Sequence, residues 1–155
     1  MVLLHNCVKG WRRLMNPSDA FDAVPPPRVI LAEDDREMRT MLAESLRRDG
    51  YQVIEAADGR ALDALIRSSF YATPQGEPVD LIVTDVRMPG CSGLSVLEAV
   101  REARWAIPVI LITAYGDEAT HEAARRLGVT AIFDKPFDVD DLRTAVLNAV
   151  PPAWT

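Results

Sequence analysis

Carboxylates, a hydroxyl and an amine follow short apolar runs in this sequence. Glu33 and Asp34 follow RVILA, and Asp85 follows LIVT. Thr113 follows VILI, and Lys135 comes two residues after AIF. A few carboxylate oxygens suit Mg²⁺, and a carboxylate can also act as a nucleophile that accepts a phosphoryl group. A lysine ammonium neutralises the charge of such a group. These residue types therefore indicate magnesium-dependent phosphoryl transfer, if the fold brings them together.

The segments around these residues alternate between apolar runs and amphipathic stretches. This alternation predicts an α/β doubly wound fold, with a parallel sheet covered by helices on both faces. The carboxyl ends of parallel strands meet at one edge, so the polar residues should converge there. The predicted strands cover residues 28–33, 51–56, 79–84, 107–112 and 129–133, and the predicted helices cover 35–49, a segment that begins at Asp58, 93–104, 117–127 and 138–150.

Methionines and histidines in these segments have ordinary structural interpretations. Met38 and Met41 recur at helical spacing with Leu42, which predicts that both methionines lie in the core. His5 and His121 have no nearby Ser or Cys in the order of a catalytic triad, so both are interpreted as surface residues.

Size and composition restrict the class of protein. The chain has 155 residues, of which 48% are hydrophobic and 26% charged, which suits one globular domain. Its net charge of −6 argues against general nucleic-acid binding, and no apolar run approaches the ~20 residues of a membrane span. The first residues have too short an apolar core for a signal peptide. Cys7 and Cys91 lack CxxC partners, so neither zinc nor a disulfide is expected, and a cytoplasmic location is predicted.

Charge and proline content divide the chain. Residues 1–28 carry a net charge of +2, residues 29–155 carry −8, and three prolines stand at 25–27. We therefore predict an N-terminal extension over 1–27, one domain over 28–150 and a C-terminal tail over 151–155. The extension could be a loosely packed tail or a docking or dimerisation helix, and Met15 could be the true start. Its apolar residues at helical spacing are Val2, Leu3, Leu4, Val8, Trp11 and Leu14.

Four motifs make residues 28–150 similar to the receiver domains of response regulators, the phospho-acceptor part of two-component signalling. The motifs are VILAEDD, LIVTDVRMPGCSG, VILITAYGD and FDKPF, in the order and spacing of that family. The resemblance implies a flavodoxin-like (βα)5 fold with five parallel strands in the order 2-1-3-4-5. No output domain follows in the sequence, so a single-domain response regulator is expected.

The resemblance also implies a Mg²⁺ site and a phospho-acceptor. Asp85 matches the phosphorylated aspartate. Asp34 matches the direct metal ligand of the acidic pair, and Glu33 matches the ligand that acts mostly through water. Arg87 matches the residue whose backbone carbonyl binds the metal. Asp35 aligns one place beyond the pair and is not included.

Other family positions concern switching. Thr113 matches the switch hydroxyl, and Lys135 matches the lysine that pairs with the phosphoryl group. The bond from Lys135 to Pro136 is expected to be cis. Tyr115 matches a position beside the path of the hydrolytic water, so slow self-dephosphorylation is predicted. Ile132 stands where receiver domains usually carry an aromatic residue that rotates on activation, so that switch is missing or altered.

The combined interpretation is a cytoplasmic phospho-acceptor. A sensor histidine kinase or histidine phosphotransfer protein would phosphorylate Asp85 with Mg²⁺, and the change would bias a face that binds a downstream protein. Neither direct nucleic-acid binding nor membrane binding is expected, and the chain would be a monomer or weak homodimer. Its chemistry would be limited to self-phosphorylation and self-dephosphorylation, so it is not classed as a dedicated enzyme.

Two other functions stay open at this point. The first is a binding module on the same fold that works without phosphorylation, which the altered position 132 favours. The second is a phosphotransferase or phosphatase of related topology, which would need a substrate pocket or cap that the chain has little room for.

Overall fold

Strands and helices alternate along the chain, as the sequence predicts. A computed structural model describes residues 25–70, 78–114 and 116–152. The strands are Arg28–Ala32 (β1), Gln52–Ala56 (β2), Leu81–Asp85 (β3), Val109–Thr113 (β4) and Ala131–Asp134 (β5), and the helices are Arg36–Arg48 (α1), Gly59–Phe70 (α2), Gly93–Glu102 (α3), Glu118–Arg126 (α4) and Val139–Ala149 (α5).

The five strands form one parallel sheet in the order β2-β1-β3-β4-β5, which confirms the predicted fold. The register aligns the strand ends. Asp85 lies opposite Ile112 of β4, and Thr113 lies opposite Asp134 of β5. The carboxyl ends of the three adjacent strands β3, β4 and β5 therefore lie at one edge of the sheet, close to the end of β1.

Two apolar layers enclose the sheet. One contains Leu42 and Leu46 of α1 with Leu142 and Val146 of α5. The other contains side chains of α2, α3 and α4, among them Leu97. The strands β3 and β4 are buried along their whole length, which explains why their sequences are continuous apolar runs rather than alternating ones. Among the described residues, no helix is both long and apolar enough to cross a membrane.

Four strands begin later than predicted, β2 by one residue and β3, β4 and β5 by two. Val79 and Ile107 are buried, yet β3 begins at Leu81 and β4 at Val109. For β4 the reason is Pro108, which has no N–H to donate and contributes only its carbonyl, the acceptor for the Ile82 N–H. Strands β3 and β4 also end one residue later than predicted, so Asp85 and Thr113 are their last residues.

The first helix corrects another prediction. Met38 packs against the core, but Met41 is 43% exposed, so its assignment to the core is wrong. Leu42, Ala43 and Leu46 are the buried residues of α1. Met41 lies at the margin of the stripe that they form, because it precedes Leu42 by about 100° around the helix.

Four helices begin with an aspartate that caps the first turn. Asp35 accepts a hydrogen bond from Met38 N, Asp58 from Ala61 N, Asp117 from Thr120 N and Asp138 from Asp140 N, each at 2.8 Å. Such caps satisfy backbone N–H groups that have no partner within the helix. The carboxylate of Asp35 is therefore committed to α1, which agrees with leaving it out of the predicted metal ligands.

Arg101 joins the loops at the amino ends of β4 and β5. Its Nε donates to Leu127 O at 2.9 Å, and its Nη1 donates to Trp105 O and Ile107 O at 3.0 and 2.8 Å. Its Nη2 donates to Gly128 O at 3.1 Å. One guanidinium thus satisfies four carbonyl groups across two loops, which fixes the positions of α3 and α4 relative to the sheet.

We expect Arg101→Met to lower the free energy of unfolding by about 2–3 kcal/mol, because several part-buried carbonyls lose a charged donor. Urea denaturation followed by circular dichroism measures the change. Arg126→Met is the matched control. Arg126 is exposed, and within the described part of the chain its side chain pairs only with Glu122. Its loss should therefore lower the free energy of unfolding by under about 0.5 kcal/mol. Equal losses in the two variants would contradict this role of Arg101.

Candidate functional site

Three carboxylates meet at the carboxyl edge of the sheet. One oxygen from each of Glu33, Asp34 and Asp85 lies within 4.8 Å of the other two. Glu33 directly follows β1 and is fully buried, Asp85 ends β3 and is 3% exposed, and Asp34 is exposed. The sheet order explains the meeting, since β1 and β3 are neighbours. The structure therefore brings together the acidic residues that the sequence singled out.

Lys135 brings a positive charge to these carboxylates from the end of β5. Its Nζ lies 2.7 Å from Asp85 Oδ2 and donates to Glu33 Oε1 at 3.3 Å. Burial lowers the pKa of this ammonium, but the hydrogen bonds to Asp85 and Glu33 and the attraction of both carboxylates outweigh burial, and its pKa is raised. Lys135 therefore stays charged at neutral pH and holds the two buried acids together.

Glu33 holds its proton unusually tightly. Burial raises the pKa of its carboxyl to about 7, and the negative charge of Asp85 adds to the rise. Hydrogen bonds from Asp35 N, at 3.1 Å, and from Lys135 act in the opposite direction. Glu33 Oε2 is buried, lies 3.1 Å from Lys135 Nζ and accepts no hydrogen bond in the structure.

This arrangement fits a magnesium ion. Mg²⁺ prefers a small number of oxygen ligands and keeps several of its waters. Here three carboxylates converge, and the buried Oε2 of Glu33 lacks a hydrogen bond, so Glu33, Asp34 and Asp85 provide the kind of oxygens such an ion needs. A cation would also relieve the repulsion that favours the proton on Glu33.

Arg87 and Thr113 lie beside the acids in different ways. Arg87 N donates to Asp85 Oδ1 at 2.9 Å, and its side chain is exposed. Thr113 is buried at the end of β4, and its carbonyl accepts from Lys135 N at 2.8 Å. The bond from Lys135 to Pro136 is cis, as expected from the resemblance. Tyr115 lies outside the described residues, so its predicted effect stays a prediction.

Two residues that support the site were missed in the sequence. Arg39 on α1 donates from Nη1 to Glu33 O at 2.8 Å, and its Nε lies 3.4 Å from Glu55 Oε1. A Cβ at Gly93 would overlap the main-chain carbonyl of Asp85, so glycine is needed for α3 to start against β3. The glycine could have been found from the motif PGCSG, whereas no pattern marks Arg39.

His121 requires a correction. It was interpreted as a surface residue, but its side chain is 16% exposed and its Nε2 lies 2.9 Å from Asp134 Oδ1. The sequence gives no sign of this pair, since the two residues are 13 positions apart on different elements.

Comparisons of this chain with known proteins agree on one protein family. A family model described as response regulator receiver domain matches residues 29–147. Sporulation initiation phosphotransferase F of Bacillus subtilis is 32% identical over 125 residues, which cover 80% of this chain and 94% of that protein. Transcriptional regulatory protein PdtaR of Mycobacterium tuberculosis is 34% identical over 138 residues, which cover 88% of this chain and 63% of PdtaR. The chain thus spans less than two thirds of the second relative.

A solved structure shows the same fold. The receiver domain of the Francisella response regulator 1452 superposes with a TM-score of 0.70 and 26% sequence identity, and the alignment covers 79% of this chain and 95% of that domain.

The buried Glu33 should make stability depend on pH in metal-free protein. Its pKa is raised from 4.5 to about 7, so between these values the folded state binds more protons than the unfolded chain. Stability should therefore fall as pH rises through this window, because the unfolded chain ionises first. Saturating Mg²⁺ should reverse the trend by favouring the ionised carboxylate.

Urea denaturation between pH 4.5 and 8, with chelator or with Mg²⁺, measures this effect. Glu33→Gln should remove the component that falls with pH in chelator. Glu98→Gln is the matched control, since Glu98 is an exposed glutamate of α3 and should leave the parent's pH dependence intact. A parallel pH dependence in the parent and Glu33→Gln would show that Glu33 titrates in its ordinary range.

Proposed function

We propose a phospho-acceptor function for this chain, which belongs to the response regulator receiver domain family. Receiver domains are signalling domains of two-component and phosphorelay systems rather than classical enzymes. The proposal is that Asp85 accepts a phosphoryl group from a histidine kinase or a histidine phosphotransfer protein. The observation that carries it is the contact of 2.7 Å between Lys135 Nζ and Asp85 Oδ2, beside two further carboxylates.

The proposed reaction is a transfer between two nucleophiles. A carboxylate oxygen of Asp85 forms a bond to phosphorus, the bond from phosphorus to the donor nitrogen breaks, and the donor histidine keeps the electron pair. Arg87 N holds Asp85 Oδ1 and Lys135 holds Oδ2, so the carboxylate is oriented before the donor arrives. Such orientation lowers the barrier because little rearrangement is needed.

Glu33, Asp34 and Asp85 would hold Mg²⁺, with the carbonyl of Arg87 as a further ligand proposed from the resemblance. The ion, when bound, supplies positive charge toward the phosphoryl oxygens. The chain's own part is to lose the proton of Glu33, which has a pKa of about 7, and to keep the buried acids together through Lys135. The fit of three oxygen ligands supports this assignment.

The proposed switch follows from where the new charge would appear. A phosphoryl group on Asp85 would draw the ammonium of Lys135 and the hydroxyl of Thr113 toward its oxygens. Both residues stand at strand ends next to α4 and α5, so their movement would bias the face formed by α4, β5 and α5. That face would then bind a downstream protein, and we propose that this takes place in the cytoplasm.

One observation favours a second function. Ile132 is partly buried and packs into the apolar layer under α4. The chain therefore has no aromatic ring at this position that could rotate when Asp85 is phosphorylated. A receiver-fold module that binds its partner without phosphorylation would tolerate this change. The acidic cluster and Lys135 argue for the phospho-acceptor, because such a module would not need them.

Intact-mass spectrometry after incubation with a small acyl phosphate and Mg²⁺ tests the phospho-acceptor function. The parent should gain the mass of one phosphoryl group, because Asp85 is the oriented nucleophile. Asp85→Asn should gain none. Asp63→Asn is the matched control, since Asp63 pairs with Arg67 on the surface of α2 and should leave the adduct unchanged.

Chelator should abolish the adduct in the parent. Absence of an adduct on a folded parent that fails to bind Mg²⁺ would instead support the binding module. An adduct that persists on Asp85→Asn would place the acceptor elsewhere.

Tyr115→Ala tests the predicted lifetime of the phosphorylated state. A bulky side chain beside the path of the hydrolytic water should slow the loss of phosphate, so we expect the variant to lose it several-fold faster. The decay of the adduct after removal of the donor gives the rate. Tyr115→Phe is the matched control and should behave like the parent, because the ring stays. If Tyr115→Ala and the parent decay at the same rate, the shielding role is wrong.

A further inference from the structure

A hydrogen-bonded pair connects α4 to the end of β5. His121 on α4 lies with its Nε2 2.9 Å from Asp134 Oδ1. The His121 side chain is 16% exposed and that of Asp134 is 55% exposed, so water reaches the pair mainly from the carboxylate side. Residues two apart on a strand face the same side, which places Asp134 with Ile132 on the face that α4 covers.

Gly116, between β4 and α4, packs directly on this pair. A Cβ added at Gly116 would overlap the Asp134 carboxylate and would lie 2.6 Å from His121 Nε2. The backbone at Gly116 therefore lies against both partners, and a side chain there would require the Asp134 carboxylate and the His121 ring to shift. A displacement of this backbone toward the pair would disturb the contact between His121 and Asp134.

The same strand ends carry two groups of the proposed site. Thr113 lies opposite Asp134 in the parallel register, and its carbonyl accepts from Lys135 N at 2.8 Å. Lys135 follows Asp134 directly and reaches Asp85 with its ammonium. Movement of Thr113 or Lys135 toward a phosphoryl group would therefore act on the backbone that holds Asp134 and Gly116.

The charges around His121 come from the end of β5 and from α4 with its capping residue. Asp134 faces it from β5, and Asp117 lies beside it at the start of α4. Hydrogen bonds from Thr120 lower the pKa of Asp117, and the positive charges of Arg87 and His121 contribute in the same direction. The ammonium of Lys135 is engaged by Asp85 and Glu33. The remaining charged side chains of α4 pair with one another, Glu118 with Arg125 and Glu122 with Arg126.

We propose that His121 and Asp134 form a latch, which holds Gly116 and α4 in the unphosphorylated arrangement and opens when a phosphoryl group on Asp85 engages Thr113 and Lys135. His121 is a positioning residue in this account, since it acts through Asp134 and the loop. The inference rests on the proposed function and adds to it the route by which the site reaches α4.

The charge of the imidazole ring offers a readout of the latch. Imidazole changes charge near neutral pH, and a protonated ring binds a carboxylate more strongly than a neutral ring does. By linkage, an event that opens the latch must weaken the binding of the proton to His121 to the same extent.

NMR titration of the His121 ring measures this linkage. The sequence has two histidines, so His121→Gln assigns the signal and His5 serves as the internal reference. The full chain is titrated alone and in the presence of Mg²⁺ and excess acyl phosphate. Intact mass confirms the adduct in the same samples.

Phosphorylation should lower the titration midpoint of His121 by about 0.5 pH unit or more, roughly a threefold loss of proton affinity. The direction is diagnostic, because the negative charge added at Asp85 would by itself raise the midpoint. Asp134→Asn should remove the change on phosphorylation. Glu122→Gln, the matched control on α4, should show the same change as the parent.

Two results would overturn the latch. If the adduct forms and the midpoint of His121 stays constant or rises, the pair does not open and the inference fails while the phospho-acceptor function stands. If no adduct forms on the folded protein, the proposed function fails and the coupling fails with it. The mass measurement separates these two cases.

Discussion

The structure depends on holding like charges together where there is little water. Glu33 and Asp85 are both buried at the carboxyl edge of the sheet, where the negative charge of Asp85 disfavours ionisation of Glu33. Two features of the chain offset this repulsion. Lys135 contacts both carboxylates, and Glu33 keeps its proton up to a pH of about 7. A divalent cation would offset the repulsion in a third way, so in the proposed function the residues that would hold Mg²⁺ include the one that retains a proton without it.

The topology makes this arrangement possible. Glu33 comes from the end of β1 and Asp85 from the end of β3, and the two strands are neighbours only because the sheet runs in the order 2-1-3-4-5. Lys135 reaches Asp85 from β5 across the end of β4. Thr113 therefore ends the strand that lies between the strand of Asp85 and the strand that leads to Lys135. The close start of α3 requires Gly93, so the turn after β3 is constrained by the main chain of Asp85 itself.

The sequence predicted the elements and the site residues better than it predicted individual contacts. Buried strands need apolar runs and parallel strands place their ends together, so Glu33, Asp85 and Lys135 could be found from order and spacing. The start of β4 could not be placed from apolarity, because Ile107 is buried outside the ladder. Arg101 and His121 were missed since their partners depend on how distant loops and strands pack, which leaves no periodic pattern.

The end of β5 is where the site and α4 meet. Successive residues of a strand face opposite sides, so Phe133 packs in the layer with α1 and α5, while Ile132 and Asp134 face the layer with α4. The aromatic pair of Phe133 and Phe137, with centroids 5.8 Å apart, therefore lies on the side away from α4. An aliphatic side chain at Ile132 cannot donate or accept a hydrogen bond when the strand end moves. Asp134 and His121 form a polar contact between the end of β5 and α4. In the proposed mechanism, a phosphoryl group on Asp85 therefore acts on α4 by opening this hydrogen-bonded pair.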